Sequence, residues 1–190
     1  MDRPERTAAL EFLRRHGTES SAARLLSSLR AVFRAMERSL RQIPEGVRTL
    51  RPAPDAWSIH EIVDHLVESD RPAVAELRAL CAGISPTGGP IPARLQSPDP
   101  FARSWAVLMD DLTRAHADLL DVVAAADDRG PLVARAPSVI VIKVPGESGP
   151  DVLEWVAELD WKAYTQAIRI HTHEHLAQIE RTIATLAAAG

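Results

Sequence analysis

The sequence predicts an all-α protein built as a bundle of long helices. Three observations carry that expectation. Four segments repeat apolar residues at spacings of three and four, the period of a helix that buries one face. Proline and glycine punctuate the connections between them. Only residues 132–146 have the β-branched character of a strand.

A short helix is expected first, from Pro4, which suits a first helical turn, to His16, with Gly17 as the stop. Residues 1–17 then form an N-terminal extension to a single domain spanning 1–190. The first long helix runs from about Ser20 to Gln42, with Leu25, Leu29, Val32, Phe33, Met36, Leu40 and Ile43 on one stripe. Pro44 and Gly46 end it. The second opens at "WSIHE", where Ser58 and Glu61 form a capping box: the hydroxyl accepts from a first-turn amide and the carboxylate reaches back. It continues through Ile62, His65, Leu66 and Ser69 toward Gly83. Pro72 falls inside it, so a kink or short break is expected near Asp70.

"GISPTGGPIPARLQSPDP", residues 83–100, has no helical pattern and is expected to be a loop, either a lid or a crossover. The third long helix covers about Phe101 to Ala126. Within 132–146, "SVIVIKV" has the length and composition of a strand. Its partner is either "LVARA" across a loose turn or a second subunit. Asp151 and Glu154 resemble another capping pattern, so the last helix is expected from near Asp151 through Val156, Leu159, His171 and Gln178 to Thr182. It runs unbroken or breaks near Trp161 or Tyr164.

The net charge of −4 offers no basic footprint for nucleic acid. Cys81 is the only cysteine, which suits a reducing compartment. No stretch approaches a membrane span, and the N-terminus lacks a signal-peptide core. The expectation is a soluble, cytoplasmic protein.

"HTHEHLAQIE", residues 171–180, places three histidines within five positions. His171 and His175 are four apart, one turn along one helix face, so two imidazoles can converge on one ion. His173 lies about 160° round the helix from both and cannot share it. A third ligand must come from another helix, and His65 is the best candidate. Three neutral nitrogens would suit Zn²⁺, Ni²⁺ or Fe²⁺ and leave open positions for water or substrate. The competing reading makes His171 and His175 a polar patch at a helix end and His65 a boundary residue. His60 and His173 are expected to be exposed, and His116 to be a boundary residue. Gln178 is placed to bond a ligand water or a neighbouring helix. Trp57 is expected to staple the second helix, with a wall of the site as its other role. Asp64 and Glu68 flank His65 but are expected to point elsewhere.

Two stretches carry a family resemblance. "PDAWSIHEIVDHL" has a tryptophan, a capping serine and His65 before a leucine; "HTHEHLAQI" has a His-x-x-x-His followed by Leu-x-Gln-Ile. In order and spacing the chain resembles the DinB-like superfamily of damage-inducible bacterial proteins, including its metal-dependent-hydrolase-like branch. The resemblance implies an up-down four-helix bundle with a metal held by His65, His171 and His175. It also implies a homodimer, and an enzyme acting on a small molecule as a thiol S-transferase, using a low-molecular-weight thiol, or as a hydrolase. A non-enzymatic metal-binding stress or interaction protein is the alternative. Trp155 and Pro72 depart from the family pattern. No catalytic residue beyond the ligands stands out, and Cys81 is not placed to be a nucleophile.

Overall fold

A computed structural model describes residues 3–146 and 149–189. Each long helix begins where a short polar side chain can take up a free first-turn amide. Helix α1 (Pro4–Leu13) starts on a proline and widens into a π-helical turn over Arg14–Thr18. Helix α2 (Ala22–Arg41) begins at Ser21, whose hydroxyl accepts from Arg24 N at 3.3 Å. A single turn, α3 (Glu45–Arg48), follows Pro44. Helix α4 (Ile59–Cys81) starts at the expected capping box: Glu61 N donates to Ser58 Oγ, and Ser58 N donates to Glu61 Oε2 at 2.8 Å. It runs through Pro72 without the expected break. Helix α5 (Trp105–Ala125) begins at Ser104, a few residues later than its periodicity suggested.

The next segment corrects two expectations. Strands β1 (Ala136–Gly146) and β2 (Gly149–Leu159) form an antiparallel ribbon, in register from Ala136 opposite Leu159 to Gly146 opposite Gly149. The strand expected within 132–146 therefore pairs with the residues just after it rather than with "LVARA". The final helix, α6 (Trp161–Ala189), begins ten residues after Asp151. Asp151 and Glu154 lie in β2 and cap nothing. The cap is Asp160, whose Oδ1 accepts from Lys162 N and Ala163 N, both at 3.0 Å. Trp155 is a strand residue, and Trp161 opens the helix as a buried side chain.

The chain is mostly helical. Helices α2 and α4 both pack chiefly on α5 and α6, which sets these two consecutive long helices diagonally across the bundle. The ribbon lays Ile140 and Trp155 on the helical core and leaves Val141, Val152 and Val156 on its outer face. Gly17 makes the docking of the π-helical turn on α6 close: a Cβ there would stand 2.6 Å from Ala163 Cα.

The apolar interior divides into two clusters. One gathers Leu25, Leu29, Phe33, Leu77, Leu119 and Ile168; the other gathers Met36, Leu40, Ile62, Leu66, Leu112 and Ile179. On each long helix the change from one to the other falls at one level. Polar side chains stand at that level: Glu37 on α2, Asp70 on α4, His116 on α5 and His171 on α6. This polar level is where the candidate site begins.

Candidate metal centre

The capping box fixes where α4 starts, and thereby where His65 points. Its ring is buried, 1 % exposed. On α6, His171 and His175 project from one face a turn apart. The three side chains meet: His65 Nε2 stands 3.0 Å from His171 Nε2, and His175 Nε2 stands 3.1 Å from the same atom. The rings pack edge to face, with centroids 4.6–5.1 Å apart. His65, His171 and His175 thus come together as the spacing and the resemblance suggested. They form a group whose donor atoms all lie within 4.8 Å of one another and could hold a metal ion.

Hydrogen bonds on the far side of two rings decide what faces inward. His65 Nδ1 lies 2.7 Å from the Leu95 carbonyl oxygen, and His175 Nδ1 lies 2.9 Å from Gln178 Oε1. Both partners only accept, so each Nδ1 carries the ring proton and each Nε2 presents a lone pair. His171 Nε2 faces two such lone pairs and can donate one proton at most. One of the two short N···N approaches therefore sets lone pair against lone pair.

Extra protons do not relieve this. His65 is held below the ordinary imidazole range, chiefly by burial. His171 is held well below it by burial, then by His175 and His65. His175 is lowered to about 4 by burial and by His65, against the opposing bond to Gln178. Three neutral nitrogens converging on one point are a cation's donor set. Two nitrogens bound to one tetrahedral ion stand about 3.3 Å apart for bonds of 2.0–2.1 Å. The spacing here is close to that, so the residues fit a divalent transition metal.

The surroundings correct several expectations. Trp57 lies 5.1 Å from the His65 ring and 6.5 Å from the His175 ring, centroid to centroid, so it walls the site while also packing on the second core cluster. Gln178 reaches His175 on its own helix rather than a neighbouring one. His60 is buried, not exposed, with Nε2 3.0 Å from the Pro100 carbonyl oxygen. His173 is exposed, as expected. His116 is fully buried between Glu37 Oε1, 2.9 Å from its Nδ1, and Asp70, and stacks on Phe33.

Asp64 and Glu68 do turn away from the cluster. Asp64 accepts from Ser97 N at 2.9 Å and Ser97 Oγ at 2.8 Å, and Arg103 bridges it to Glu68. Cys81 is a poor nucleophile, since burial pushes its thiol up to about 11. Sequence reasoning missed the groups that the loop over 83–100 brings: the Leu95 carbonyl, and Gln96, whose amide donates to the Glu61 carbonyl at 3.1 Å. A backbone carbonyl leaves no mark in a sequence.

The fold and the site together define a class: a helical bundle that gathers imidazoles from two of its helices around one point. Residues 28–179 match the model of the DinB superfamily, and the chain belongs to that family. The resemblance read from the two histidine-bearing stretches is thereby borne out. The crystal structure of TT2238, a four-helix bundle protein, is similar, with a TM-score of 0.55 over 85 % of this chain and 99 % of that one. At 20 % identity the likeness speaks for the fold alone. No curated protein matches the chain.

Proposed function

We propose that this protein is a metal-dependent enzyme whose ion is held by His65, His171 and His175 and whose substrate is a small molecule. One observation carries the reading: three neutral imidazoles aim Nε2 at a common point, two of them with the outer nitrogen already tied to an acceptor. Membership of a superfamily in which metal binding is common supports it. Zn²⁺, Ni²⁺ and Fe²⁺ all accept such a donor set. When bound, the ion would act as a Lewis acid and lower the pKa of a water or thiol at an open position.

The chain's own residues hold and orient. Leu95 and Gln178 keep the two outer nitrogens protonated, and Trp57 closes one side against water. Neither carboxylate beside His65 is available as a general base, because Asp64 and Glu68 are both committed to Arg103. That favours transfer of a low-molecular-weight thiol, which needs no protein base once the ion lowers its pKa, over hydrolysis. The same reading takes the working unit to be a homodimer. The long helices do not alternate up and down as the resemblance implied, because α4 and α5 run the same way, with Asp64 beside Arg103, Asp70 beside His116 and Arg71 beside Asp111.

The test is elemental analysis of untagged protein, wild type beside His65→Ala and His171→Ala. About one ion per chain, lost in both variants, is the expected result and would justify screening thiol acceptors and hydrolysable esters. No ion in any sample and no uptake on titration at neutral pH would end the reading. An ion present without turnover in any screen would leave a non-enzymatic metal-binding protein.

A further inference from the structure

The geometry points to Asp64 as a positioning residue for the His65 donor nitrogen, acting through the segment Leu95–Ser97; its bearing on the ion rests on the function proposed above.

The argument starts from burial. Asp64 is 0 % exposed, one residue before a candidate ligand, yet its hydrogen bonds go to Ser97 and Arg103 rather than to the histidine cluster. A buried carboxylate is costly unless each oxygen is satisfied. Here both are, and by a loop rather than a neighbouring helix. Ser97 donates its backbone amide to Oδ2 and its hydroxyl to Oδ1, and Arg103 donates to Oδ1 as well. Two residues before Ser97 stands Leu95, whose carbonyl accepts from His65 Nδ1. Between them Gln96 donates to the Glu61 carbonyl.

The loop is therefore laid along one face of α4 by consecutive residues, each tied to position 61, 64 or 65. Gln96 on Glu61 and Ser97 on Asp64 together hold the Leu95 carbonyl against the ring, and Asp64 takes two of these three bonds. Without that carbonyl, either nitrogen of His65 can carry the proton, and in one tautomer the lone pair no longer faces His171. Asp64 thus sets, at one remove, which nitrogen of His65 is free. A partner on the outer nitrogen is what fixes ring orientation and tautomer at metal-binding histidines in general.

The experiment compares wild type, Asp64→Asn and Ser97→Ala. Asp64→Asn turns one acceptor oxygen into a donor facing Arg103 or Ser97, while Ser97→Ala removes the hydroxyl clasp from the loop side. The first readout is the ¹⁵N spectrum of the His65 ring in chelator-treated protein. One tautomer, protonated at Nδ1, is expected in the wild type, and a mixture in the variants. The second is Zn²⁺ affinity by competition with a chromophoric chelator, expected to weaken about 10- to 100-fold.

A purely structural clasp would lower thermal stability and leave both readouts unmoved. Variants with native helix content, a single His65 tautomer and Zn²⁺ affinity within about twofold of wild type would overturn the assignment. If Asp64→Asn fails to fold, Ser97→Ala decides alone. If the wild type takes up no Zn²⁺, the metal reading falls, while the tautomer measurement still decides whether Asp64 positions His65.

Discussion

Replacing Asp70 by asparagine should stabilise the protein at neutral pH. Asp70 is 2 % exposed on the polar level between the two core clusters. Its Oδ2 and the Nε2 of His116, 3.6 Å apart, both lack a hydrogen-bond partner among the described residues. His116 Nδ1 lies 2.9 Å from Glu37 Oε1, which leaves its Nε2 turned toward Asp70. Burial raises the Asp70 carboxyl from 3.8 to about 6, against the pull of His116. At 1.36 kcal/mol per pH unit, that is about 3 kcal/mol against the charged form at pH 7.

The direction with pH follows. Between pH 4 and 6 the folded chain keeps a proton that the unfolded chain has released, so this contribution declines as pH rises and is gone above about 6. The amide of Asp70→Asn is neutral throughout and can meet His116 Nε2 either as donor or as acceptor. The variant should match wild type near pH 4 and exceed it by at most about 3 kcal/mol at pH 7. That corresponds to about 6–12 °C in melting temperature for a chain of this size. Helix melting followed by circular dichroism from pH 4 to 8, with chelator present, measures it. Glu37 and Tyr164 also face this pocket, so the wild-type-minus-variant difference is the quantity to read. A variant less stable than wild type at pH 7 by about 3–5 kcal/mol would mean that Asp70 and His116 are a buried ion pair, and the reasoning would be wrong.

Two further outcomes are expected. His65, His171 and His175 are all held neutral by burial. The unfolded chain therefore binds more protons below about pH 6.5, and stability without metal should fall on acidification from there toward pH 4; His175→Leu should fall less steeply, and equal slopes would contradict the shifts. Gly17→Ala should lower stability by about 1–3 kcal/mol in urea unfolding, because the new methyl meets the α6 backbone rather than a movable side chain; an unchanged midpoint would show that the π-helical turn does not dock so closely.

The helices were legible because their signals are local. Ser58 and Glu61 announce α4, and the spacing of His171 and His175 announces a shared face. The ribbon's second strand was missed because Val152, Val156 and Leu159 are spaced as a helix would have them, while Asp151 and Glu154 imitate its cap. The glycines at 146 and 149, between two runs of apolar and β-branched residues, were the available hairpin signal. His60 was misjudged for another reason: Pro100, forty residues away, covers it, and helical periodicity says nothing of what a loop will cover. The same loop supplies the partners of His65 and Asp64. The ligands could thus be read from the chain, while the groups that aim them could not.

His65 and His171 are separated by 106 residues, and that separation has a kinetic consequence. An ion held by both would be a reversible cross-link across more than half the chain; a covalent link over such a loop contributes about 5 kcal/mol by chain entropy. The unfolded chain has no preformed grip of this kind, since the two ligating segments meet only when the second and last long helices have docked. The cross-link would then close late. Zn²⁺ should slow unfolding and leave the refolding rate nearly unmoved, and stopped-flow traces in which Zn²⁺ instead accelerated refolding would place the ion in the folding nucleus.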